Sequence, residues 1–119
     1  YYAFSRLEKN KGLMIVSSGI DFDDRERAIE IINQQLEDIS EGKISDYEFD
    51  STIKCLVNSF KEAADNPAMI ISLYLDGILN GVQRSTKEII ENLYKVTKTD
   101  VVNVAERICL DTVFFLNKK

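Results

Sequence analysis

Residues 1–21, YYAFSRLEKNKGLMIVSSGID, place two apolar runs on either side of a charged, glycine-containing turn. No other stretch limits the fold as much. Tyr and Phe within residues 1–7 suit a pleated surface, and residues 13–18 form a second run of strand length. Between them, Glu8, Lys9, Asn10, Lys11 and Gly12 make a polar loop of hairpin length, with Asn10 and Gly12 available for positive φ. The pattern predicts an antiparallel hairpin. Gly19, Ile20 and Asp21 then leave the sheet. Asp21 is placed to cap a helix, and Asp23 and Asp24 follow where the helix dipole favours acids.

Helical signals dominate from here on. Ala28, Ile32, Leu36 and Ile39, widened by Ile29 and Ile31, form one apolar stripe, and Gly42 supplies a left-handed stop. Ser45 with Glu48 is a capping box, and Ile44 and Phe49 occupy the positions of a hydrophobic staple. Phe49, Ile53, Leu56, Val57 and Phe60 keep helical period up to Ala64. Asn66 and Pro67 then break the run, because Pro disfavours the α conformation in the preceding residue yet suits a first helical turn. Residues 68–80 are so apolar that their helix is expected to be buried on more than one side or covered by a partner. Gly81 ends it. Ser85 with Glu88, and then Thr97 with Asp100, open two further helices. Finally, residues 111–116, DTVFFL, are β-branched and aromatic and are predicted to return to the sheet. The fold class is therefore α+β. An antiparallel sheet, made of the N-terminal hairpin plus a C-terminal strand, is covered by four to five helices in one domain over residues 1–119.

The remaining composition mostly excludes. At 119 residues with 45% hydrophobic and 29% charged residues, the chain reads as an ordinary globular domain, expected to bury roughly 65% of its unfolded surface. A net charge of −5 without a Lys/Arg stripe argues against nucleic acid as a partner. No apolar stretch is long enough for a membrane span. Cys55 and Cys109 belong to no CxxC spacing and sit in apolar helical patterns. They are expected to be buried, reduced thiols, which points to a cytoplasmic setting.

The chain has no His, and so lacks the commonest neutral-pH base and the commonest zinc ligand. Ser17, Ser18, Ser51 and Ser59 therefore have no His to activate them. Asp21, Asp23 and Asp24 alternate like the start of a calcium loop, but the glycine and closing glutamate of such a loop are missing. Gly77 and Gly81 have GxxxG spacing, explained by a helix end and a close packing point. These residues supply no catalytic and no metal site. Tyr1 and Tyr2 have two readings. At a strand start an aromatic pair commonly packs and covers an edge, but a tyrosine hydroxyl facing a cleft can also orient a substrate backbone. The chain also begins inside a strand-like run without an initiator Met, which reads as a piece of a longer polypeptide.

The opening YYAFSRLEKNKGLMIVSSGID, the later QLEDISEGKISDYEFD and the closing VTKTDVVNVAERICLDTVFFL occur in an order that resembles one family. It is the non-catalytic C-terminal half-domain of insulinase/pitrilysin-like zinc metallopeptidases, in particular the bacterial processing-peptidase-like members. The resemblance implies a LuxS/processing-peptidase-like metallohydrolase fold, in which paired α+β half-domains enclose a chamber for unfolded peptides. Zinc is expected in the catalytic half of the parent, held by an inverted HxxEH motif. The other half contributes an Arg and a Tyr that contact substrate. Tyr1 matches that tyrosine best, Tyr2 is the alternative register, and the arginine would lie upstream of Tyr1. Without His or HxxEH, this chain should be inactive alone. The implied partners are a catalytic half-domain of the same or a paired chain and a peptide substrate. Unpaired strand edges add a tendency to pair with a second copy. Two other readings stand beside this one, a stand-alone helical interaction module and a non-peptidase core subunit with the same fold.

Overall fold

The computed structural model describes residues 2–116. The opening stretch forms the predicted hairpin, with β1 (Tyr2–Glu8) paired to β2 (Leu13–Gly19). Its polar loop tightens into a single 3-10 turn over Lys9–Lys11, and Gly12, not Asn10, takes the left-handed position at φ 63°. Five helices follow: α1 (Arg25–Ser40), α2 (Asp46–Ala64), α3 (Pro67–Leu79), α4 (Thr86–Leu93) and α5 (Lys98–Ala105). The α+β class is as the sequence predicts.

The described residues form two compact units. One comprises residues 2–6, 14–44 and 98–116, and the other residues 7–13 and 45–97. In the first, α1 packs against α5. The entry to α1 departs from expectation. Asp21 has extended geometry, but its side chain makes no capping hydrogen bond, and a 3-10 turn over Phe22–Asp24 leads into the helix. The Asp24 N–H donates to the Asp21 carbonyl at 3.2 Å, so backbone tightening replaces the side-chain cap. The end of α1 follows the prediction. Gly42 adopts φ 77°, a conformation costly for any residue with a Cβ, while Lys43 N–H donates to the Asp38 carbonyl and Gly42 N–H to that of Ile39. Ala28, Ile29, Ile32, Leu36 and Ile39 are half-buried, but Ile31 is exposed.

In the second unit, α2 packs against α3 and α4. The Ser45 capping box is complete. Glu48 N–H donates to Ser45 Oγ at 3.2 Å, and the Glu48 carboxylate accepts the Ser45 N–H at 3.0 Å. Asn66 caps α3 by accepting from the N–H groups of Ala68 and Met69, with Pro67 in the first turn where its missing donor costs nothing. At the other end Val82 N–H donates to the Gly77 carbonyl and Gly81 N–H to that of Ile78. A Cβ on Gly77 would stand 3.0 Å from the Val82 carbonyl oxygen, so the two glycines mark a helix end and a close approach.

The α4 capping box makes a pH prediction. Glu88 accepts the Ser85 N–H at 2.7 Å and the Ser85 hydroxyl at 2.8 Å, and these bonds, the backbone one foremost, hold its carboxyl below the usual carboxylate range. Because the folded value is depressed, the stabilisation is present above the unfolded glutamate value, about 4.3, and is lost as pH falls through the folded one. Acid titration of helical circular dichroism should show a loss below about pH 4 that is smaller in Glu88→Gln. Equal acid profiles for the two proteins would contradict this.

Three differences from the sequence reading share one cause. Among the described residues, the buried apolar side chains are Val57 and Ala63 on α2 and Ala105 on α5, a small core for this length. The predicted C-terminal strand does not form, since residues 111–116 pair with no strand. Phe115 instead rests on Phe22, with ring centroids 5.8 Å apart, and the Arg25 guanidinium lies 5.5 Å from its centroid. β-propensity reflects fit to a neighbouring strand, and without that neighbour it is not expressed. The thiols also differ, both Cys55 and Cys109 being exposed. Cys55 projects from the side of α2 opposite the half-buried Ile53 and Phe60 and the buried Val57. In each case apolar residues face outward where the sequence suggested an interior.

Candidate functional site

Of the two tyrosines singled out by sequence, Tyr1 lies outside the described residues. Tyr2 opens β1 with 61% of its surface exposed. Side chains alternate along a strand, which puts Tyr2 and Phe4 on one face of the hairpin. Their rings stack with centroids 6.0 Å apart and an interplanar angle of 20°. Phe4 is itself 52% exposed. The Tyr2 ring also lies against Gly19, the last residue of β2. The surface is thus a pair of stacked, solvent-facing aromatic rings resting on a glycine.

Sequence reasoning found Tyr2 but missed Gly19. Only the meeting of the strand ends places it. Two seven-residue strands joined by the four residues 9–12 bring the end of β2 back to the start of β1.

Several other polar groups are engaged close to their own helix ends. Ser85 is engaged by its helix cap. Lys43 bridges Asp38 at 3.0 Å and Glu41 at 2.6 Å, and the Lys43 ammonium, with Gln34, holds the Asp38 carboxyl below its ordinary value. This is an exposed ion-pair cluster closing α1. Among the described residues no group of three or more His, Cys, Asp or Glu is placed to hold a metal, and the sequence has no His. The residues present therefore do not fit the zinc that the resemblance implies for a catalytic half-domain. Nor is any described helix long and apolar enough to cross a membrane.

No known family profile matches the chain. Over 116 residues it is 32% identical to "Probable inactive metalloprotease YmfF" of Bacillus subtilis (strain 168), an alignment covering 98% of this chain and 27% of that protein. In sequence, the chain is thus similar to part of a protein named as a probable inactive metalloprotease. Its fold is shared with a solved structure, described as a conserved protein from Enterococcus faecalis V583, at a TM-score of 0.79 and 31% identity. That match covers 90% of this chain and 25% of the other. The chain spans about a quarter of the length of these two relatives.

Proposed function

We propose that this chain is part of the non-catalytic C-terminal half-domain of an insulinase/pitrilysin-like protein, working as a wall of a peptide chamber and not as a hydrolase. The observation that carries this reading is the likeness over 116 residues to a protein named as an inactive metalloprotease. The absence of His from the sequence supports it, since neither a His-ligated zinc site of the HxxEH kind nor a His base can be assembled from these residues. The reading favours Tyr1, which lies outside the described residues, as the substrate contact, and the alternative register is Tyr2. The exposed Tyr2 ring could lie along an extended peptide while the hydroxyl donates to a peptide carbonyl.

Outward-facing apolar side chains support the same reading. They occur on the hairpin, along α3 and in the C-terminal run, where Phe114 and Leu116 are each 83% exposed. Exposed apolar side chains recurring along one element, as on α3, commonly mark contact with another protein surface. The partner proposed here is the remainder of a longer metalloprotease-like protein, including a catalytic or catalytic-like half that carries any zinc. The exposed thiols of Cys55 and Cys109 fit a reducing, cytoplasmic setting.

A helical interaction module would be favoured by an exposed α3 together with a covered hairpin. Only the first condition holds, because Tyr2, Phe4 and Leu7 are exposed as well. The relative's being named inactive brings forward the remaining reading, a parent that kept the fold and lost the chemistry. Zinc-supplemented peptidase assays test the shared claim. The purified chain should not hydrolyse an unfolded casein substrate, and turnover proportional to its concentration would overturn the non-catalytic assignment.

A further inference from the structure

The residue that carries information beyond the peptide-wall reading is Gly19. Its φ lies outside the left-handed region, so its backbone does not require a glycine. Space does. A Cβ built on Gly19 would stand 2.5 Å from Cε1, 2.8 Å from Cδ1 and 3.2 Å from Cζ of Tyr2. Carbon atoms in contact sit at about 3.5–4.0 Å, so even a methyl group must displace the ring. Tyr2 has two side-chain torsions and lies at a strand end, and it yields before the paired backbone of β2 does. Phe4, stacked on the Tyr2 ring with centroids 6.0 Å apart, is the ring's other described aromatic neighbour.

We infer that Gly19 is a positioning residue for Tyr2, fixing the ring, and through it the phenolic hydroxyl, where an extended peptide meets the hairpin. The inference rests on the proposed peptide-wall reading and adds a residue to it. A purely structural role for the same contact also exists, since an aromatic ring laid across a strand glycine shields backbone and stabilises a sheet. The two roles differ in what they couple to. Shielding affects stability, whereas positioning affects peptide affinity only while the Tyr2 ring is present.

A double-mutant cycle separates them. Binding of a fluorescein-labelled, unfolded casein peptide is measured by anisotropy for the unsubstituted chain, Gly19→Ala, Tyr2→Ala and the double variant. Circular dichroism and thermal melts monitor the fold of each. Gly19→Ala should weaken binding about fivefold to tenfold in the presence of Tyr2 and leave it unchanged in the Tyr2→Ala background. In the unsubstituted chain, the Gly19 Hα resonances should be displaced by the Tyr2 ring current, and that displacement should vanish in Tyr2→Ala. Should the unsubstituted chain bind while Gly19→Ala binds equally well, or should Gly19→Ala weaken binding equally in both backgrounds, positioning is overturned and the peptide-wall reading stands. Failure of the unsubstituted chain to bind at all would overturn that reading and this inference with it.

Discussion

Replacing Val57 by aspartate should abolish the cooperative folding of the unit built from α2, α3 and α4. Val57 is 2% exposed, and with Ala63 it supplies the buried side chains of that unit. A carboxylate there has to stay charged in an apolar setting or take up a proton, and in either state it replaces close-packed methyl groups. The cost is on the order of 3–5 kcal/mol, a large share of the stability of any single domain. A core with so few buried side chains has little to offset it. Thermal melts followed at 222 nm should lose amplitude across the α2–α4 helices in Val57→Asp, whereas Cys55→Ser, on the exposed side of the same helix, should melt as the unsubstituted chain does. Equal melting of all three proteins would contradict the placement of Val57 in the core.

Charging the outer stripe of α3 should have the second large effect, on association. Ile71, Tyr74, Leu75, Ile78 and Leu79 recur at the three- and four-residue steps of one helix face and are 55–69% exposed. Ile70, Leu73 and Gly77, on the other side of α3, are half-buried. The helix therefore carries two apolar faces and uses one of them. Covering what remains exposed on those five side chains would contribute on the order of 5 kcal/mol before the costs of association, enough to draw copies together when nothing else is present. Light scattering of the purified chain should show an average mass that rises with concentration. The combined Ile71→Glu, Leu75→Lys and Ile78→Glu variant should remain monomeric with unchanged helix content, because Glu and Lys are good helix formers. Concentration-independent monomeric behaviour of the unsubstituted chain would contradict the use of this stripe in association.

These two helices also show what can be read from sequence. Local signals were legible wherever the chain closes its own hydrogen bonds. The boxes Ser45/Glu48 and Ser85/Glu88, the Asn66–Pro67 entry and the stops at Gly42 and Gly81 all depend on residues within a turn of one another. Burial was not legible in the same way. An apolar stripe states that a face seeks cover but does not name the cover, so α3 and the Cys55 side of α2 read alike as interior. The C-terminal run shows the same limit, since DTVFFL has strand chemistry but strand structure needs a neighbour, and Phe115 found Phe22 and Arg25 instead. Asp21 failed for a smaller reason, the 3-10 turn closing the helix start through the backbone. At the candidate site the aromatic residue was visible and its seat was not. A glycine in a strand has no side chain to announce what rests on it, and only the meeting of the strand ends places Gly19 under Tyr2.

Peptide contact without cleavage, the role proposed for this chain, can be checked in a single titration. A fluorescein-labelled, unfolded casein peptide is titrated with the purified chain in the presence of zinc, and the peptide is recovered from the end point for mass spectrometry. Saturable binding is expected, weakened by Tyr2→Ala, with the peptide recovered intact. No binding, or recovery of the peptide as fragments produced in proportion to the chain added, would contradict it.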